Sequence, residues 1–346
     1  MKRKVLITGA SGEVGTALIN ALAASGEVSL ITIDPRELLP EVAEKVDVQY
    51  RGSVLDAAIA AEIENSYQLD TIFHLAGVLS TLGEKEPLLA HEVNVNGTMN
   101  MLSLADRISR TSGQRVKFIF PSTIAAHGFC SFEEKRDNPR IKEEEFLTPI
   151  TMYGLNKVYC ENLGCYFSDN FAQLSSAAGR TTLDFRAVRF PGLISAETLP
   201  SAGTSDYGPE MVHAAARGEP YSCFVRPDTR IPFMAMPDAV DALVQLAAAD
   251  TSQLSSRIYN LSAFSLSAEE IAGLVRRSFP DAAISYNIDP VRQRIVDSWP
   301  GDYDDSRARA DWGFKPIFNA ERAFSEYLVP SISERYLVTE MMVANF

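Results

Sequence analysis

The chain has 346 residues, 46% of them hydrophobic and 22% charged, with a formal net charge of -13. That length accommodates one large domain or two around an ample core, and the acidic balance excludes an electrostatic footprint for nucleic acid or an anionic membrane surface. No apolar run approaches the roughly 20 residues that span a bilayer, and the four cysteines (Cys130, Cys160, Cys165 and Cys223) form neither a CxxC pair nor a zinc spacing, so free buried thiols in a reducing, cytoplasmic compartment are expected.

The first stretch, 4-KVLITGASGEVGTALINALAASG-26, divides into a short β-branched run, a glycine turn and an apolar pattern at helical spacing. The basic start before it is too short to be a signal-peptide core. Gly9, Gly12 and Gly15 serve three needs: a tight turn, close approach of backbone to a pyrophosphate, and close packing of helix on strand. The helix that follows offers free N–H groups to phosphates. The next strand, 28-VSLITID-34, ends in Asp34. An acid about 20 residues past the turn can hold both ribose hydroxyls of NAD and repel the 2′-phosphate of NADP, while a nearby arginine, here Arg36, can accept that phosphate. Asp34 favours NAD.

The alternation continues along the chain. DVQYRGSV reads as a strand, followed by Asp56; TIFHLAG (71–77) is a strand, EVNVNGTMNMLSLADRI an amphipathic helix and RVKFIFPST (115–123) a strand. MYGLNKVYCENLGCYF reads as a helix and LDFRAVRFPG (183–192) as another strand. This rhythm predicts an α/β fold with a doubly wound parallel sheet of the Rossmann type. Ligands of such sheets sit at the carboxyl ends of the strands. GASG, Asp34, HLAG (with Leu75 and Ala76), PST and RFPG should therefore meet in one crevice, with Asp56 near the third strand end.

Beyond residue 190 the rhythm loosens and Pro and Gly become frequent. The expected division is a dinucleotide-binding domain over 1–190 and a small carboxyl-terminal substrate lobe over 191–346, interleaved with remaining sheet elements and C-terminal helices. AMPDAVDALVQLAAA (235–249) reads as a helix, RIYNLS (257–262) and AISYNI (283–288) as strands, and Ser267-x-x-Glu270 as a capping box. The tail from 319 reads as helical and broken by Pro330. The charged segment 129-FCSFEEKRDNPRIKEEEF-146 reads as a solvated loop.

Tyr153 and Lys157 in 151-TMYGLNK-157 share a helix face. Together with GASGEVG, FHLAG, NVNGT, PST and YGLNK in this order, they make the chain resemble the extended short-chain dehydrogenases/reductases. Within that family it looks most like the NAD-dependent, metal-free L-threonine 3-dehydrogenases, through 79-LSTLGEKEPLLA-90, 189-RFPGLIS-195, 202-AGTSDYG-208, 227-PDTRIPFMAMPDAV-240 and 297-DSWPGDYDDSRARADWGF-314.

The resemblance implies that Tyr153 is the base that takes the substrate hydroxyl proton. It implies that Lys157 stabilises the tyrosinate and binds the nicotinamide ribose, and that Thr123 holds the same substrate oxygen. Ser122, Ser80, Thr204 and Asp206 become candidates for contact with a small hydroxy amino acid, Asp206 facing its ammonium. Asn94 takes a supporting, structural role, and no metal site is implied. Arg189 and Arg230 read equally as structural cations or substrate anchors, and Trp299 as a packed indole or a pocket wall. His127 stands where such chains usually carry an aromatic. Pairing of helices 92–108 and 154–168 implies a homodimer. Rival readings are a dehydrogenase or epimerase acting on a sugar acid or nucleotide sugar, and a catalytically silent NAD-binding scaffold.

Overall fold

A strand buried on both faces must be apolar on both, and the first strands of this chain are. In the computed structural model, which describes residues 2–174, 183–200 and 203–343, the strands in chain order are β1 (Arg3–Thr8), β2 (Val28–Asp34), β3 (Val48–Arg51), β4 (Thr71–His74), β5 (Val116–Thr123) and β6 (Leu183–Phe190). They are followed by β7 (Gly192–Ile194), β8 (Tyr221–Cys223), β9 (Arg230–Ala235), β10 (Ile258–Asn260), β11 (Phe264–Ser267) and β12 (Ile284–Tyr286). Seven of these form one parallel sheet in the order β10-β6-β5-β4-β1-β2-β3. The period of two along a strand distributes β1 between two cores. Val5 and Ile7 pack with Leu18, Ile19 and Leu243 on one face, and Leu6 packs with Ile63, Leu102 and Leu104 on the other. The chain runs outward from β1 to β3 and then returns to β4 on the other side of β1. This reversal opens a crevice at the carboxyl ends of β1 and β4.

The remaining strands make a smaller layer. β9 pairs antiparallel with β11 and parallel with β7, while β8 and β12 form a separate parallel pair. Around them lies a third core that includes Tyr207, Met211, Phe233, Ile271, Trp299 and Phe324. Residues beyond 190 thus serve both layers: β10 and the Met236–Ala248 helix join the large sheet, and the rest covers the crevice from the side. The capping box at Ser267 and Glu270 is complete, each side chain accepting the other's backbone N–H.

Two sequence expectations change. The segment 129–146 is solvated only in part and carries a short helix, Phe132–Asp137. Lys135 is buried and its ammonium donates to the Val296 carbonyl at 3.2 Å, Arg140 Nε donates to the Tyr303 carbonyl at 2.7 Å, and buried Glu143 accepts from the Asn260 N–H at 3.2 Å. These three charges tie the segment to the lobe and the sheet, which a charge count along the chain does not reveal, while most of its other charges face solvent. Nor does Pro330 break the last helix. A π-helical segment, Ala323–Leu328, precedes Val329–Val343, and its wider turn absorbs the missing N–H and the ring.

One buried ion pair joins β6 to the Met152–Asp169 helix. Arg189 donates Nε to Glu161 Oε1 at 2.8 Å and Nη2 to Oε2 at 2.6 Å, and its Nη1 donates to the Glu143 carbonyl. Both side chains are out of solvent, so Arg189 is structural. His127 lies beside it with its Nδ1–H donating to the Glu145 carbonyl at 2.9 Å. Burial, then the Arg189 charge, push its pKa down to about 3, so the ring is neutral. Removing one partner of such a pair strands a buried charge, at a cost of about 3–5 kcal/mol. Glu161→Leu should therefore lower the urea midpoint sharply, and adding Arg189→Met should recover most of the loss.

Candidate active site

The carboxyl ends of the strands open on one cavity of about 840 Å³, lined by segments from every sequence stretch expected to meet there. The glycine turn forms its floor. Gly9 has φ +70, and a Cβ there would stand 2.6 Å from the Ala76 N. A Cβ on Gly15 would run into the Gly9 carbonyl, so both glycines are compelled by backbone contact. A Cβ on Gly12 would meet only the Gly9 oxygen, at 3.1 Å; its outer side faces the cavity. This cradle beside a helix N-terminus fits a dinucleotide pyrophosphate. Asp34 lies at the end of β2, nearly buried, accepting from the Ser11 N–H at 3.0 Å and the Arg36 N–H at 2.9 Å. Leu75 and Ala76 line the wall. Asp56 does not: it caps the Ala57–Ser66 helix, accepting from the Ala58 and Ile59 N–H groups. The lining at this strand end comes from Gly52, Ser53 and Val54 instead.

The Met152–Asp169 helix begins at a doubly held end. Thr151 Oγ1 accepts from the Gly154 N–H at 3.1 Å, and Glu84 Oε1 accepts from the Met152 N–H at 2.7 Å. Any Cβ on Gly154 would strike the Ala125 carbonyl. The glycine after Tyr153 therefore lets the helix lie directly on the turn that follows β5. This contact puts Tyr153 and Lys157 beside Ser122 and Thr123. The Thr123 hydroxyl hydrogen-bonds the Tyr153 phenol and accepts from the Ala125 N–H at 3.2 Å. Lys157 Nζ donates to the Pro121 carbonyl at 2.7 Å, lies 4.3 Å from the Phe120 ring centroid and 5.7 Å from that of Tyr153.

The electrostatics of this cluster differ from the expectation that Lys157 already holds the phenol acidic. Burial pushes Tyr153 up to about 12, with only the Thr123 bond opposing it. Burial also pushes Lys157 down to about 8, against the pull of Cys160 and Glu161. Desolvation outweighs the attraction at this separation, since the ammonium is turned to a carbonyl and an aromatic face. His74, buried between Thr8 at 2.8 Å and Thr98 at 3.0 Å, is a satisfied core residue; burial, then Lys157, push it down to about 3.

The lobe supplies the opposite wall. Ser80 and Thr204 hydroxyls lie 3.1 Å apart. Asp206 accepts from the Gly203 N–H at 2.6 Å and lines the cavity with Trp299. The stretch 202–208 begins at Ala202, outside the described residues. Ser122 has a buried hydroxyl without a hydrogen-bond partner in the cavity wall, which points to a ligand contact. Arg230 pairs with Glu270 and donates to the Ser265 carbonyl, away from the cavity. Asn94 accepts from the Val78 N–H at 2.7 Å and donates to its carbonyl at 3.0 Å, holding the segment after β4. Sequence reasoning missed Glu13, Ser195 and Thr198, which line the cavity, and Glu84. Only the position of Glu13 inside the glycine turn was visible as a signal.

A glycine cradle at the switch point of a parallel sheet, with a Tyr-Lys pair at its far end, defines an NAD-dependent oxidoreductase. The comparisons agree. Residues 5–262 match the NAD dependent epimerase/dehydratase family, and the chain belongs to it, as an extended short-chain dehydrogenase/reductase. It is 37% identical to an uncharacterized epimerase/dehydratase of Staphylococcus haemolyticus, over 96% of this chain and 98% of that one. It is 35% identical to the mitochondrial L-threonine 3-dehydrogenase of Bos taurus, over 92% and 80%. The structure of L-threonine dehydrogenase from Clostridium difficile superposes with a TM-score of 0.85 at 34% identity, covering 96% and 98%. Among the described residues, no helix is long and apolar enough to cross a membrane.

The glycines separate two kinds of damage. Gly15→Ala should lower the melting temperature clearly, because its Cβ meets backbone. Gly12→Ala should leave melting nearly unchanged and weaken NAD binding by about tenfold, roughly 1.4 kcal/mol, as titration calorimetry would show.

Proposed function

We propose that the chain oxidises the 3-hydroxyl of L-threonine to 2-amino-3-oxobutanoate with NAD. The observation that carries this reading is that Tyr153, Thr123 and Ser122 line the same cavity as Ser80, Thr204 and Asp206. The hydroxyls of Ser80, Ser122, Thr123 and Thr204 and the Asp206 carboxylate suit a zwitterion with a secondary hydroxyl. The two L-threonine dehydrogenase relatives support the same substrate, and the family supports NAD-linked chemistry.

Gly9, Gly12 and Gly15 would cradle the pyrophosphate, Asp34 the adenosine ribose, Leu75 and Ala76 the wall beside it, and Lys157 the nicotinamide ribose. When bound, the nicotinamide ring supplies the acceptor for the hydride that leaves the carbinol carbon. The protein handles the proton. Thr123 holds the substrate oxygen against Tyr153, and the phenol oxygen takes the hydroxyl proton. A phenol at about 12 is a weak acid in this chain. The tyrosinate required for proton abstraction is stabilised by the Lys157 ammonium, which is charged below about pH 8. Asp206 offsets the substrate ammonium from the lobe side.

We also propose a homodimer built on the Met152–Asp169 helix, which exposes about half of Leu155 and Tyr159, 52% each. Soluble chains seldom leave such a stripe bare. A cytoplasmic location suits the acidic composition and the free cysteines.

NADH formation with L-threonine, L-serine, D-erythronate and a UDP-sugar tests the substrate. L-threonine should be turned over fastest; turnover of D-erythronate or the UDP-sugar alone would replace this reading, and no turnover with any would favour a silent scaffold. Tyr153→Phe should cost about 10²–10⁴ in rate and leave the NAD dissociation constant nearly unchanged. Leu155→Glu with Tyr159→Glu should sediment as a monomer; an unchanged sedimentation coefficient would remove that surface from the interface.

A further inference from the structure

The glycine turn places an acid where its ligand brings two negative charges. Glu13 is the first residue of the Glu13–Ser25 helix, directly after Gly12, and it lines the cavity. Its carboxylate reaches across the cavity mouth to a strap over residues 195–200. The Thr198 hydroxyl donates to Glu13 Oε1, and the Ser195 hydroxyl bonds the same carboxylate. The strap is fixed from behind by the C-terminal segment. The Ala196 N–H donates to the Tyr327 hydroxyl at 3.1 Å, and Arg335 Nη2 donates to the Ala196 and Glu197 carbonyls. Glu13 is therefore held at the helix end that an incoming diphosphate must share.

The groups facing Glu13 make ionisation harder to sustain. Asp206, at the start of the Tyr207–Ala216 helix, and Glu197, on the strap, are both acidic, and Tyr327 adds a neutral phenol. Burial already moves the Glu13 carboxyl up from its ordinary range; the Thr198 and Ser195 hydroxyls oppose this, and Asp206 and Glu197 add to it.

We propose that Glu13 takes up a proton from solvent when the dinucleotide binds, and in that form donates a hydrogen bond to the diphosphate. The proposal rests on the dinucleotide reading of the cavity. A helix N-terminus favours negative charge, but an ionised carboxylate beside a diphosphate sets three negative charges against one helix end. Protonation removes one of them. It also turns an acceptor-only group into one with a donor, while the remaining carbonyl oxygen still accepts from Thr198. The contact to the strap survives, so binding need not displace it.

The sign of the pH effect follows. A carboxyl with a higher pKa in the complex than in the free protein makes binding tighter at low pH. Affinity then falls as pH rises between the two values, by up to about tenfold per pH unit.

Calorimetric titration with ADP-ribose, whose diphosphate diester does not titrate near neutrality, tests this between about pH 6 and 7 in two buffers of different ionisation enthalpy. That window lies below the Lys157 value of about 8, so Lys157 is mostly charged within it, and the Glu13→Gln control removes its share of any proton uptake. Expected are net uptake of up to one proton per ligand and a dissociation constant that weakens with pH. Glu13→Gln should lose both effects and bind at pH 7 at least as tightly as the wild type. Binding without proton uptake, or uptake that persists undiminished in Glu13→Gln, would overturn the role of Glu13 and leave the dinucleotide reading intact. Failure of both ADP-ribose and NAD to bind would overturn both.

Discussion

The contact between the Met152–Asp169 helix and the end of β5 is the constraint on which the site depends. Gly154 lets the helix lie on the Ala125 carbonyl, and Lys157 ties it down through the Pro121 carbonyl. Tyr153 and Thr123 meet because of this docking. Neither residue could be moved by one position without losing the other, since the helix repeats every 3.6 residues and the strand every two. Glu84 and Thr151 at the helix start, and the Glu161–Arg189 pair one turn beyond Lys157, hold the same element at two further levels.

The docking has an electrostatic cost that the fold accepts. A half-buried phenol and a buried ammonium both shift toward their neutral forms. The ligand-free chain is thus poised against ionising Tyr153, and the attraction from Lys157 gains weight only when negative charge develops on the phenol oxygen. Interactions realised chiefly along the reaction are those that raise turnover.

Much of this was legible in the sequence, and the boundary has physical causes. The parallel sheet followed from β-branched runs separated by helical periods, because two-sided burial leaves no other composition for β1, β2 or β5. The glycine turn and the Tyr153–Lys157 pair could be read because their chemistry is local in the chain. The capping role of Asp56 was not read because an Asp after a strand is equally a ligand contact or a helix cap, and only the direction of its side chain decides. The roles of Lys135, Glu143 and Arg189 depend on partners far along the chain, among them Val296, Asn260 and Glu161, and no periodicity encodes such distances. The Glu13–Thr198 contact spans the two layers and was invisible for the same reason.

The edge strand β10 has a consequence for biogenesis. It covers β6 through pairs such as Ile258↔Ala187, yet it lies some seventy residues further along the chain, roughly ten seconds of translation at ordinary ribosome speeds. While the nascent chain waits for it, β6 presents an unpaired row of backbone N–H and C=O groups, the kind of edge that invites association between neighbouring chains. Synthesis rate and chaperone supply, more than the final stability, would then limit the yield of this protein when it is overproduced.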